Sequence, residues 1–210
     1  AAAVGATGTS GGGGAGGAGK QFASFMAYGT NRNNQSTDYA TGDRRATTTG
    51  GYITVSTDLS INTSGGTVQN FVDGSITGGT QFYPNGETSA GKYFRFDFGT
   101  SGNPIITNVK WYQDATATQG VWKWQGSNDA TAWTDIGSSF TLGLGATGTS
   151  TPQTQTTMSA NTTAYRYYQL YGISGSASNG ASWIQIEFQS RGYFAGGGGG
   201  GGDNGSGAGG

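Results

Sequence analysis

From about Tyr52 to Gln189 the chain is a succession of short β-like segments held between two glycine tracts, and this pattern admits little but an all-β sandwich. The cleanest segment is Lys92–Gly99, where Phe94, Phe96 and Phe98 fall on one face and Tyr93, Arg95 and Asp97 on the other. A period of two is a half-buried strand with the phenylalanines inward. Tyr52–Val55 is β-branched and aromatic and reads as a further strand. Ile105–Tyr112, Val121–Gln125, Trp133–Ile136, Phe140–Leu144, Tyr165–Tyr171 and Trp183–Phe188 follow, parted by turn-forming Gly, Asn, Asp, Ser and Thr. No stretch keeps a helical period over three turns. Many short strands with such turns predict a sandwich or jelly roll.

A core is available to it. Aromatic residues make up 12% of the chain and gather in its middle, and each can bury roughly 150–250 Å². Charged residues are only 10% and the net charge is −1, so the chain has no basic footprint for nucleic acid. Arg44-Arg45, the nearest thing to one, reads as a solvated turn. No apolar run approaches the ~18 residues of a membrane span, so membrane insertion is not expected. The absence of His and Cys removes Ser/His and Cys/His nucleophilic schemes and the usual zinc sites within one chain. Asp129 and Asp135 flank Trp133, but acids at turns are more often turn makers than a glycosidase pair. The chain is expected not to be an enzyme.

Composition divides the chain into four parts. Residues 1–19 are a glycine-rich arm, and 191–210 a second one with seven consecutive glycines, Gly196–Gly202. Residues 20–51 are a loop-like connector whose Gln21–Tyr28 stretch can anchor on a neighbour, and 52–190 are the sandwich. The arms read either as flexible linkers or as assembly elements, since polyglycine backbones can approach closely.

Six segments, in order, resemble the discoidin or coagulation-factor type C family. Val68-Gln69-Asn70-Phe71-Val72-Asp73-Gly74 resembles its early A-x-x-A-x-D-G element, and Tyr93–Gly99 its W-L-x-I-D-L-G strand. Ile106–Val109 resembles I-x-x-V. Trp122–Asp129 with Trp133 resembles Y-x-V-x-x-S-x-D-G-x-x-W. Tyr165–Leu170 resembles A-R-Y-V-R-L, and Ile184–Phe188 the closing I-x-E-I-E-V. The resemblance covers about two-thirds of the chain and neither arm. It implies a discoidin-like, eight-stranded jelly-roll β-sandwich of a kind that includes many galactose-binding modules. Members often hold calcium near the D-G turn. Asp73 matches that position, but the first carboxylate of the closing strand is here Gln185, which weakens a calcium site. No other cofactor is implied.

In sugar-binding relatives the ligand lies on loops at one end. On that analogy Tyr83, Asn85, Asn179 and Trp183 are the expected ligand-binding residues, whereas Trp111, Trp122, Trp124 and Trp133 read first as core. The glycine-rich arms resemble those of phage fibre adhesins. The expected role is therefore a structural or adhesive component of a virion (a phage tail or fibre) or of an extracellular appendage. It would contact glycans or a cell-surface receptor through the sandwich, and copies of itself or neighbouring proteins through the arms. The alternatives are a secreted carbohydrate-binding module of a larger protein and a purely filament-forming subunit.

Overall fold

The computed structural model describes residues 42–47, 52–64, 67–76, 81–84, 87–100, 103–143, 151–177 and 182–191, with backbone alone at 63–64 and 81–84. The glycine arms, the Gln21–Tyr28 anchor, Asn85, Asn179 and the side chain of Tyr83 fall outside them. The described residues form ten strands: β1 Thr54–Thr57, β2 Ile61–Ser64, β3 Gln81–Pro84, β4 Tyr93–Asp97, β5 Ile105–Gln113, β6 Val121–Ser127, β7 Thr134–Thr141, β8 Gln153–Gln155, β9 Tyr167–Ser174 and β10 Trp183–Arg191. A single-turn 3-10 helix, Val68–Val72, is the only helix among the described residues. The strands make two five-stranded sheets, ordered β1-β4-β9-β6-β7 and β2-β3-β10-β5-β8. All of their ladders are antiparallel.

The alternation in β4 does what period two requires. Phe94, Phe96 and Phe98 are buried, while Tyr93, Arg95 and Asp97 are half-buried on the outer side. Phe71, on the 3-10 helix, lies at the centre of the core. Its ring meets Phe94 at 5.1 Å and Trp111 at 4.8 Å, both edge-on, an arrangement the ring quadrupoles favour. Phe188 closes the far side against Phe96 and Phe98 at 4.9 and 5.2 Å. Trp111 and Trp122 satisfy their indole N–H groups on Gln113 Oε1 and on the Gln119 carbonyl, so both rings can be buried without an orphaned donor.

Four strands depart from the sequence expectation. β2, β3 and β8 are short and polar. The expected Trp133–Ile136 and Phe140–Leu144 strands are one strand, β7. Gly137, at φ 68°, lets β7 bulge, so that Trp122 faces Phe140 and Trp124 faces Ile136. Two extra residues are thereby absorbed without reversing which side faces inward. The described part of the connector is tied to the sandwich: Arg44 N–H donates to the Val72 carbonyl, and Arg45 bridges to Ile53.

Candidate functional site on the outer sheet face

Outward positions of the first sheet line up by register. Ser56, Arg95, Gln169, Gln125 and Asp135 form one row across all five strands. Tyr93, Tyr171 and Lys123 form the row on one side, and Thr54, Asp97, Tyr167 and Ser127 the row on the other. Trp133, at the entry to β7, is half-buried and joins this face from the edge. With Arg166, which precedes β9 and pairs with Asp97, four partly exposed aromatic rings therefore share this surface with three cations.

A directional chain of hydrogen bonds crosses the middle row. Arg95 Nε and Nη2 donate to Gln169 Oε1 at 3.2 and 3.1 Å. Gln169 Nε2 donates to Gln125 Oε1 at 2.8 Å, and Gln125 Nε2 to Asp135 Oδ1 at 2.6 Å. Arginine can only donate and a carboxylate can only accept, so the two ends fix the orientation of both amides. The buried Gln169 and Gln125 side chains thus each use amide oxygen and nitrogen along the row, which holds it in place.

The cations are stacked on the rings. The Arg95 guanidinium carbon lies 4.4 Å from the Tyr93 ring centre and 4.7 Å from that of Trp133. Arg166 lies 4.7 Å over Tyr167, and Lys123 Nζ 5.6 Å over Tyr171. These distances lie within the range of cation–π attraction. Lys123 is also paired with Asp135 at 2.7 Å, and Arg166 with Asp97 at 2.8 Å. The Lys123 ammonium, with the Gln125 amide, holds the Asp135 carboxyl below the ordinary carboxylate range against a smaller effect of burial. Burial acts to raise the Asp97 carboxyl, but the Arg166 guanidinium and the Gly99 N–H together outweigh it and leave it low.

The expected site residues divide differently. Trp183 is fully buried, packed edge-on against Trp111 at 4.7 Å and Trp122 at 6.0 Å. It is core, and its ring offers no platform. Its reversal has a local cause. Trp183 pairs with Gln113 and Gln185 with Tyr112, so β10 bulges there and its side-chain alternation slips by one. Tyr83 has its backbone in β3, paired with Asn62, and Phe82 pairs with Trp183. Phe82 of β3 thus stands beside the start of β10. Trp133, by contrast, is no core residue. Counting back from the inward Ile136 puts Trp133 on the outer side, and that parity is the signal by which the sequence could have shown it.

Asp129 is a turn maker. Its carboxylate accepts from the N–H groups of Thr131 and Ala132 at 2.8 Å each, and from Ser127 Oγ. Asp73 does similar work, accepting from Ser75 N–H and Asn70 Nδ2. No three acidic side chains come together among the described residues. Arg45, held by Asp43, feels the Asp73 charge, and Gln185 is buried with its amide N–H on the Ile186 carbonyl. The two positions that the resemblance names for calcium thus make hydrogen bonds of their own, Asp73 in its turn and Gln185 on the closing strand.

No family model matches this chain, and no curated protein does. Among solved structures it is similar to a CBM32 module of a family 31 glycoside hydrolase from Clostridium perfringens. The identity is 13% and the TM-score 0.47, over 65% of this chain and 93% of that one. It is similar to the family 32 module of NanJ from C. perfringens, solved in complex with galactose, at 10% identity and TM-score 0.47 over 65% and 93%. It is also similar to a chitosan-binding module of a chitosanase/glucanase from Paenibacillus sp. IK-5, at 18% identity and TM-score 0.40 over 62% and 94%. Carbohydrate-binding modules are thus the kind of structure this chain is similar to.

Proposed function

We propose that this chain is a non-catalytic glycan-binding module that takes a sugar chain on the outer face of the β1-β4-β9-β6-β7 sheet. One observation carries the reading: Tyr93, Trp133, Tyr167 and Tyr171 present partly exposed rings on a single surface, interleaved with rigidly held polar groups. Sugars bind through apolar C–H faces laid on aromatic rings, with hydroxyls met by amides and charged groups. The row from Arg95 to Asp135 supplies such groups without having to be ordered on binding, which lowers the cost of association. Two of the modules named above, one solved with galactose and one named for chitosan, agree with a glycan ligand. A glycan-binding role places the chain outside the cell, on an appendage or virion or joined to a secreted enzyme.

A second reading keeps the ligand at the end of the sandwich, on Tyr83, Asn85 and Asn179 without Trp183. The pairing of Phe82 with Trp183 favours it, because it brings β3 beside the start of β10.

A glycan array probed with the full chain separates the two. Tyr93→Ala with Trp133→Ala should lower retention at least tenfold and leave the melting temperature nearly unchanged. Tyr83→Ala with Asn179→Ala should leave retention intact. The reverse pattern moves the site to the loops, and no retained glycan sinks both readings.

A further inference from the structure

We infer that this face is built for acidic glycans, polymers carrying sugar carboxylates, and that Arg95 is the residue that receives the acid group. The inference rests on the glycan-binding reading above and adds the class of sugar. The three cations of the face are not equivalent. Lys123 has Asp135 and Arg166 has Asp97. Arg95 has no carboxylate among the described residues; its partner is the neutral Oε1 of Gln169. Two of its N–H contacts are spent there, out of the five a guanidinium offers. The remaining N–H groups have no acceptor among the described residues.

Geometry prepares those free donors. Tyr93 and Trp133 lie against the guanidinium, and Gln169 grips one edge. The plane of the fork is therefore fixed before any ligand arrives, and the donors left over lie along its other edge. A fixed guanidinium edge matches a carboxylate in a two-bond, charge-assisted contact, which is stronger and more directional than a neutral one. Arg95 is thus a cation of this face whose charge no carboxylate meets among the described residues. A neutral sugar would leave that charge uncompensated. A uronate would pair it while its ring lies on Trp133 or Tyr93.

The test compares a polymer with its own methyl ester, which keeps the sugar and removes the charge. Polygalacturonate and polymannuronate, each beside its ester, are titrated into the full chain by calorimetry at low and at high salt. At least one acid form should bind tenfold or more tighter than its ester, and the preference should shrink at high salt. Arg95→Gln should erase the preference in a variant that still melts cooperatively, while Arg95→Lys, which keeps the charge but not the fork, should restore part of it. Equal binding of acid and ester overturns the inference and leaves the glycan-binding reading standing. An acid preference that survives Arg95→Gln overturns the role of Arg95. Glycans retained on an array with both acid polymers ignored also overturns it, whereas no glycan retained at all removes the function on which it rests.

Discussion

Ala130 has φ 58° and is the only non-glycine with a left-handed backbone among the described residues. An L side chain there costs on the order of 1–2 kcal/mol, because Cβ crowds the following carbonyl. The turn enforces it: Ser127 Oγ accepts from the N–H groups of Asp129 and Ala130, and Asp129 ties down Thr131 and Ala132. Glycine would shed the clash but lose more backbone entropy on folding, roughly 0.5–1 kcal/mol. The balance favours glycine slightly, so Ala130→Gly should raise the melting temperature by about 1–4 °C. A lowered melt would mean that the turn does not hold this geometry in solution. At this scale the sequence is least legible, and the tryptophans show why. Side-chain parity decides which way a residue points, and one bulge reverses it. Trp133 keeps the parity of Ile136 and faces out, whereas Trp183 is turned inward by the bulge before Gln185. Nothing in the string around Trp183 announces that extra residue.

Elements were readable where the alternation is long and aromatic. β4 runs as its phenylalanines require, and β5, β6, β9 and β10 lie within a few residues of their expected positions. β2, β3 and β8 were missed because Ile61–Ser64, Gln81–Pro84 and Gln153–Gln155 are too short and polar to show a period. They extend a sheet whose long strands are β5 and β10. The close fit of neighbouring elements can be tested at Gly172 in β9. Its N–H and carbonyl bind Lys92 and Gly91, and a Cβ built there would lie 1.8 Å from the Ser89 carbonyl oxygen. That oxygen belongs to backbone pinned by hydrogen bonds of Ser89 and Lys92, so it cannot step aside cheaply. Gly172→Ala should destabilise the fold by about 1–3 kcal/mol, the usual range for overpacking, read from denaturant unfolding. A wild-type midpoint would show that the β4 and β9 ends can part here without cost.

For the whole molecule, ionisation links the binding face to stability. Asp97 and Asp135 on that face are held below the ordinary carboxylate range. A depressed carboxyl contributes stability that is present above its unfolded value, about 3.9 for aspartate, and is lost as pH falls through the folded value. The melting temperature should therefore fall as pH drops below about 4. Glu187 has the opposite sign. It lies in the second sheet, buried, and accepts from the Tyr112 hydroxyl at 3.0 Å. Burial raises its carboxyl, and the Tyr112 hydrogen bond with the charges of Lys110 and Arg44 only partly offset this. A raised carboxyl contributes stability fully present below its unfolded value, about 4.3, and lost as pH rises through the folded value. The charged form is thus a burden at neutral pH. Glu187→Gln keeps an acceptor for Tyr112 and removes that charge. It should raise the melting temperature at pH 7 and leave it nearly unchanged at pH 4, measured by calorimetry across the range. A variant that melts lower at pH 7 would show instead that the attraction of Lys110 and Arg44 outweighs the burial of the carboxylate, and that these cations clamp the connector to the second sheet.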